Sequence, residues 1–473
     1  MGKIAKIVAL LIILSVVATS CATSSEEIFD VEFEQTSEGM DLGGVEIVYE
    51  VGLDPSIYDS PTCLGYELDT HLGDLASTRL KNVQSDLNCK VKVNYTNNFN
   101  SCRNFVACSA SGVFLCDVIS GISDMWRGPA MSGMLVGLSE IENYIDFRNE
   151  EKWGNRNILE VIYYETDLFG IVPMLWPEVS VSYSGITVVN EDIIATIGAT
   201  DPRDLLENGE WTWATFRDCL EKYYLSEGND VKHYALTCST HSLGAMYLLS
   251  NGFRMSVIQP NGQITPGLMT NDALVAMGEA LDIYNGPLGY TLDTMGNAVE
   301  RLIAGTTVLG CIGSDSVIGM NGKISKEMSN FGLVSWPTGP SVNPGYASGF
   351  HANIDRCIVF SRASHYPEST AAVISAIYEP FEEYPTFNDI IELMSRNYFF
   401  DPRDSKVYYD MYLNSQFAYF FTAAGPLYNS MGEWVLGKKS PAEYVESIEN
   451  QLKERMIDCI TPAYNGIKAV WGE

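Results

Sequence analysis

The chain has 473 residues, 46% of them hydrophobic and 19% charged, with a formal net charge of −31 at pH 7. This composition belongs to a globular protein with a large core and not to a disordered chain. The acidic field repels phosphate backbones and anionic membranes, so nucleic acid is excluded as an expected partner. A neutral or cationic ligand suits the chain better than an anionic one, because no dense Lys/Arg cluster occurs.

Residues 1–20 read as a secretory leader. Lys3 and Lys6 give a positive start, Ile7 to Val17 is almost unbroken apolar sequence, and Ala18-Thr19-Ser20 leads into Cys21. The apolar run is short for a membrane span, which needs about 20 residues. Small residues followed by cysteine resemble the lipobox of bacterial lipoproteins, although Ala18 stands where that group usually has a larger aliphatic residue. The resemblance implies lipidation of Cys21. An ordinary signal peptide or an uncleaved anchor is the plainer alternative. Without the leader, 27 basic side chains face 60 acidic ones, and the remaining length suits two or three domain-sized units. Residues 22–41 are acidic and lack a hydrophobic period, as a tether would.

From Val45 onward the pattern alternates. Val45 to Val51 reads as a strand, Tyr66 to Leu87 as a helix, Lys90 to Tyr95 as a strand, and a second helix precedes a buried strand over Val113–Ser120. Strands are expected over Leu168–Pro173, Tyr183–Val189, Tyr234–Cys238, Thr307–Ile312, Phe331–Val334 and Arg356–Phe360. Helices are expected over Trp211–Tyr224, Asp272–Tyr284 and Ala298–Ala304, and the chain is mostly helical from Glu368. No low-complexity segment or short internal repeat stands out. One alternating core of this length would be oversized, so two α/β lobes are the economical arrangement.

Ten cysteines remain besides Cys21. Cys116, Cys238, Cys311 and Cys357 lie in apolar strand-like runs and are expected as buried small hydrophobes. Cys63, Cys89, Cys102 and Cys108 are the better disulfide candidates in an exported chain. No CxxC occurs and His71, His233, His241, His351 and His365 are scattered, so no metal site is expected, and no cofactor. No GxSxG, HExxH or dinucleotide glycine pattern is present. The string from Gly432 to Lys439 is close to a phosphate loop but lacks the final Ser/Thr that would meet magnesium. A glycosidase needs two facing carboxylates, and 60 acidic residues single out no pair.

Aromatic residues carry more information. Trp126, Trp176, Tyr183, Trp336 and Tyr346 lie in Gly/Pro/Ser-rich stretches at strand ends, where flat faces could stack on a sugar ring while carboxylates and amides bind hydroxyls. Core packing is the ordinary alternative for each. Trp211 and Trp213, at a helix start, read as core staples.

Several segments together resemble the maltose-binding-protein-like solute-binding lipoproteins of carbohydrate ABC importers. One runs from Val188-Val189-Asn190 through Gly198 and Pro202 to Gly209-Glu210-Trp211-Thr212-Trp213, with Val189 where that family usually has tyrosine. Ala214 likewise stands in place of its usual aspartate. Others are Leu302–Gly310, Phe331–Pro340 and Asp117–Gly133. The resemblance implies a type II periplasmic-binding-protein fold, with two α/β lobes joined by hinge strands and a ligand held between them. Lobe one would be 42–174 plus 351–403, and lobe two 180–346 plus 404–473, with crossings near Pro173–Ser182, Tyr346–His351 and Asp401–Asp404. By the same resemblance Asp124 falls where a carboxylate binds sugar hydroxyls, with Trp126 beside it. Trp176 falls on the first crossing, Ser314 and Asp315 on the pocket loop of lobe two, and Phe350 and His351 on the second crossing. Ser314 departs from the aromatic frequent there. The implied role is a monomeric binding protein, not an enzyme, that delivers a sugar or oligosaccharide to permease subunits. An exported glycoside hydrolase and a surface sensory or adhesion module are the rivals.

Overall fold

The computed structural model describes residues 40–56, 60–121, 126–153, 163–164, 167–173, 183–254, 256–259, 263–286, 291–292, 295–319, 322–343, 349–351, 357–417 and 434–455. Cys21, Asp124, Trp176 and Tyr346 lie outside these residues, as do the expected leader and the expected tether up to residue 39.

The strands that organise the fold are β1 (Glu46–Val51), β2 (Lys90–Tyr95), β3 (Val118–Gly121), β4 (Ser184–Asn190), β5 (Asp230–Cys238), β6 (Thr291–Leu292), β7 (Thr307–Gly313), β8 (Phe331–Val334), β9 (Phe350–His351), β10 (Cys357–Phe360) and β11 (Gln416–Phe417). The helices are α1 (His71–Asp86), α2 (Asn98–Ala110), α3 (Glu191–Ile197), α4 (Pro202–Glu207), α5 (Trp213–Tyr223), α6 (Thr240–Ser250), α7 (Asn271–Asn285), α8 (Met295–Ile303), α9 (Pro367–Ile377), α10 (Phe387–Tyr398), α11 (Pro402–Leu413) and α12 (Pro441–Arg455). Shorter turns and two small hairpin-like pairs complete the described chain.

Two sheets follow one plan. In the first, β1 pairs in parallel with β2 on one side and β3 on the other, and β10 closes the order antiparallel to β3. In the second, β5 pairs in parallel with β6 and β7, and β4 lies antiparallel to β7. Each sheet therefore reads 2-1-3 with an antiparallel fourth strand. That fourth strand comes from a distant part of the chain in the first sheet. The second sheet extends beyond β4 through β8, β9 and β11.

The burial pattern explains why these strands read as apolar runs. Every residue of β7 and β8 is buried, which is expected where both faces of a sheet are covered. Ile186, Val188 and Ile312 point into one core, while Val189, Leu309 and Cys311 point into another. Helix ends are capped as the sequence suggests. Thr212 and Thr215 form a reciprocal capping box at the start of α5. Trp211 and Trp213 are buried staples, their Nε1–H groups donating to the Ser335 carbonyl (2.8 Å) and Ser250 Oγ (3.0 Å).

Three expectations change. The strand over Val113–Ser120 is shorter: β3 begins at Val118, and Val113 and Phe114 are exposed. Leu168–Pro173 supplies only the end of a two-residue strand and a bridge from Ile171 to Ile358, since Gly170 and Pro173 interrupt the ladder. Cysteine pairing is the third. Cys63, Cys89 and Cys108 are free thiols, and Cys102 is fully buried in the apolar core. Cys116, Cys238, Cys311 and Cys357 are fully buried, as their apolar context implies.

A short repeat also exists. Asp201-Pro202-Arg203-Asp204 opens α4 and the same tetrapeptide, Asp401-Pro402-Arg403-Asp404, opens α11. In both, the first aspartate caps the helix by accepting the arginine N–H at 2.9 Å, and proline takes the first helical position, where its missing N–H costs nothing.

Candidate functional site

In an open α/β sheet of order 2-1-3, the loops after the first and third strands diverge. The crevice beyond their carboxyl ends is where ligands bind. Each sheet here has such a switch point.

In the first sheet it lies beyond β1 and β3. The Gly52 N–H donates to Ser120 Oγ at 3.1 Å, tying the two strand ends together. Asp54 follows, its carboxylate taking the Ser56 N–H (2.9 Å) and Ser56 Oγ–H (2.7 Å). Those bonds hold its carboxyl below the usual range. Trp126 lies just past β3 and is fully buried, edge-on to Phe105 at 5.6 Å and 83°. Its Nε1–H is buried without a hydrogen-bond partner among the described residues. An unpaired buried N–H costs about 1–3 kcal/mol, so it is a group that an acceptor would satisfy.

In the second sheet the switch point lies beyond β5 and β7. Ser239 caps α6 at the end of β5, accepting the Ser242 N–H at 3.0 Å, so the positive end of that helix dipole is directed here. Ser314 and Asp315 follow β7. Ser314 is buried and locked to the first residue before β4: its N–H donates to the Tyr183 carbonyl (2.8 Å), and the Tyr183 N–H donates to Ser314 Oγ (3.0 Å). Asp315 is exposed at this strand end. Desolvation raises its carboxyl, opposed by backbone N–H groups of Ser316 and its own residue. Its exposed carboxyl is free to accept from a ligand hydroxyl. Gly313 makes its position possible, because a Cβ there would lie 2.5 Å from Asp315 Oδ1.

The remaining expected residues separate. Tyr183 is buried, its hydroxyl donating to the Tyr408 carbonyl at 2.7 Å and its ring against Tyr408 and Tyr412. It fastens the start of β4 to α11 instead of presenting a face. Trp336 sits in an aromatic core with Phe216 (5.3 Å) and Tyr247 (5.5 Å). Phe350 and His351 form β9, between β4 and β11 in the second sheet. Ser314 and Asp315 are thus brought to one strand end, and Trp126 to the other switch point. Gly52, Asp54, Ser120 and Ser239 were missed by sequence reasoning. Their signal was weak, a turn sequence directly after a strand. Among the described residues, no group of His, Cys, Asp and Glu converges to hold a metal ion.

No family model and no curated protein sequence matches the chain. Solved structures do. The cyclic α-maltosyl-1,6-maltose binding protein from Arthrobacter globiformis superposes with a TM-score of 0.63 at 12% identity, over 88% of this chain and 99% of that one. An ABC substrate-binding protein from Listeria monocytogenes, in complex with cycloalternan, gives 0.57 at 13% identity over 87% and 99%. The maltose-maltodextrin binding protein of Alicyclobacillus acidocaldarius gives 0.56 at 13% over 86% and 100%. The similarity extends over nearly the full length of each, and the chain has the two-lobed type II periplasmic-binding-protein fold.

Proposed function

We propose that this protein is the solute-binding component of an ABC importer and captures a neutral sugar or short oligosaccharide between two lobes. The observation that carries the reading is the pair of switch points, one per sheet, each furnished with hydroxyl-binding groups: Asp54, Ser120 and the Trp126 region in one, Ser239 and Asp315 in the other. Neutral ligands suit a chain of net charge −31, and the structural relatives with bound or named α-glucans point the same way. Affinity would come from hydrogen bonds to carboxyls and from stacking, with Asp124 and Trp176 as further ligand contacts. Closure would be a population shift drawn by the ligand's greater affinity for the closed form.

In this reading lobe one comprises 42–174 with the chain from about 351 to 403, and lobe two 180–346 with 404–473. The pairing of β9 in the second sheet supports a second boundary just after His351. Cys21 carries a lipid, the acidic segment after it is the tether, and the folded body is a monomer on the extracytoplasmic face. There it hands its ligand to permease subunits, and no reaction is catalysed.

A thermal-shift screen of the mature protein against mono- and oligosaccharides, amino sugars and peptides tests this. Stabilisation by at least one saccharide is expected. No response to any solute would defeat the reading, and turnover of a glycan by the purified protein would favour a hydrolase.

A further inference from the structure

A second cleft lies at the opposite end of the larger sheet from Asp315. It has a volume of ≈ 470 Å³ and is lined by the Asn190 end of β4, α3, the carboxyl end of α8 and the segment 327–330. β7 runs from Thr307 near this cleft to Gly313 at the switch point, about 20 Å away at the rise of a strand. The cleft is therefore separate from the proposed sugar site.

Its chemistry is one-sided. Ile193, Leu302 and Met328 supply an apolar wall, and Asp192 and Glu327 stand at its polar side. No lysine or arginine lines it among the described residues. α8 and the short helix Lys323–Glu327 both end here, adding the partial negative charge of helix carboxyl ends. His233 on β5 is an independent observation. It lines the cleft, is 7% exposed, and its Nδ1 is buried without a hydrogen-bond partner among the described residues. Buried ring nitrogens are ordinarily paired, so an unpaired one beside a cavity marks a missing partner. Asn190, by contrast, is satisfied: its side chain accepts the Ile193 N–H and donates to the Leu302 carbonyl.

We propose that this cleft is a second binding site, for a primary ammonium ion on a short alkyl stem. Asp192 and Glu327 balance the charge, Ile193, Leu302 and Met328 cover the stem, and His233 accepts an N–H at Nδ1. An anion would meet two carboxylates and two helix carboxyl ends, and a purely apolar ligand would leave His233 unpaired.

Isothermal titration of the whole mature protein with n-butylammonium and with 1,4-diaminobutane tests the site, with n-butanol and butyrate as neutral and anionic controls. Both amines should bind at least tenfold more tightly than either control. The double variant Asp192→Asn/Glu327→Gln, whose side chains are exposed and whose fold should be kept, should lose at least tenfold in amine affinity. His233→Phe should weaken amine binding further than it lowers the unfolding midpoint explains, judged at a temperature where both proteins are fully folded. Asp315→Ala should leave amine binding unchanged, which keeps this result independent of the sugar reading. Equal binding of butanol and butylammonium would overturn the proposal. So would amine binding that survives the double variant, since that is general attraction to an acidic surface.

Discussion

Arg203 and Asp404, 201 residues apart in the chain, meet in the interior with Nη1 3.3 Å from Oδ1. The exchange is reciprocal, because Arg403 Nη1 lies 2.9 Å from Asp204. The two copies of the tetrapeptide thus clasp each other across β8, whose Leu333 N–H donates to Asp404 Oδ1 at 2.7 Å. Arg203 also pairs with Glu191 and Asp201 and lies 3.7 Å from Asp401. Carboxylates outnumber guanidinium groups here. The positive amino ends of α3, α4 and α11, all of which begin at this cluster, offset the excess.

Arg203 and Arg403 differ in burial, which sets unequal consequences for losing them. The Arg203 side chain is 6% exposed and its removal leaves buried carboxylates unpaired, so Arg203→Met should cost about 3–5 kcal/mol. Arg403 is 30% exposed, and Arg403→Ala should cost only about 1 kcal/mol or less. Urea unfolding of the two variants measures the difference. Equal losses would mean that burial does not govern the clasp.

Asp404 predicts a pH dependence. Burial pushes its carboxyl up to about 6, against the pull of the Leu333 N–H and Arg203. In the unfolded chain it titrates near 3.8. Between those values the folded protein holds a proton that the unfolded chain has lost, so this group's contribution to stability is present below about 3.8 and is lost as pH rises to about 6. The loss is about 3 kcal/mol across the window. Asp404→Asn keeps an acceptor for Leu333 and cannot ionise, so its stability should fall less than wild type's over this range. Parallel curves for the two proteins would refute the assignment.

Asp315→Ala should reduce affinity for the best saccharide at least tenfold without lowering the unfolding midpoint, since the carboxylate removed is exposed. Gly313→Ala should weaken binding as well, because its Cβ would displace the Asp315 carboxyl. Calorimetric titration of both variants decides this. Full affinity in Asp315→Ala would place the ligand elsewhere.

Trp336→Phe and Trp176→Ala should behave oppositely. Trp336 is core, and the truncation should cost about 1–3 kcal/mol while leaving saccharide affinity intact. Trp176→Ala should weaken binding and leave stability unchanged. Reversal of this pattern would exchange the roles of the two tryptophans.

Thiol reactivity should follow burial. Cys108 is partly exposed, whereas Cys238, Cys311 and Cys357 are fully buried with thiols raised by desolvation. In the native protein iodoacetamide should modify Cys108 well before those three, as read by peptide mass spectrometry. Fast labelling of Cys238 would show that the second core opens readily.

Much of the fold was legible in the sequence because its strands are apolar runs bounded by turn residues. β1, β2, β4, β7 and β8 lie where the pattern puts them, as do α5 and α7. α6 was not legible. Nine of its residues are buried and they surround the helix, so no polar face marks a period. Val113 and Phe114 misled in the opposite way, as apolar residues that stay in solvent. At the proposed site, Ser314 and Asp315 were reachable through family resemblance and a strand end. Gly52 and Ser120 were not, because their meeting depends on the parallel pairing of β1 and β3. The tetrapeptide repeat was passed over in the sequence, because four residues that recur once make no period, and its meaning needed the tertiary contact.

The late arrival of β10 has a consequence for biosynthesis. β3 ends at Gly121 and its antiparallel neighbour begins at Cys357, so the edge of the first sheet stays open while the intervening chain is made. At ribosomal speed that interval is on the order of ten to fifty seconds. An unpaired strand edge exposed for so long is a template for aggregation. The first sheet cannot be finished until Cys357–Phe360 has been made, and a chain that stays unfolded until then avoids the hazard.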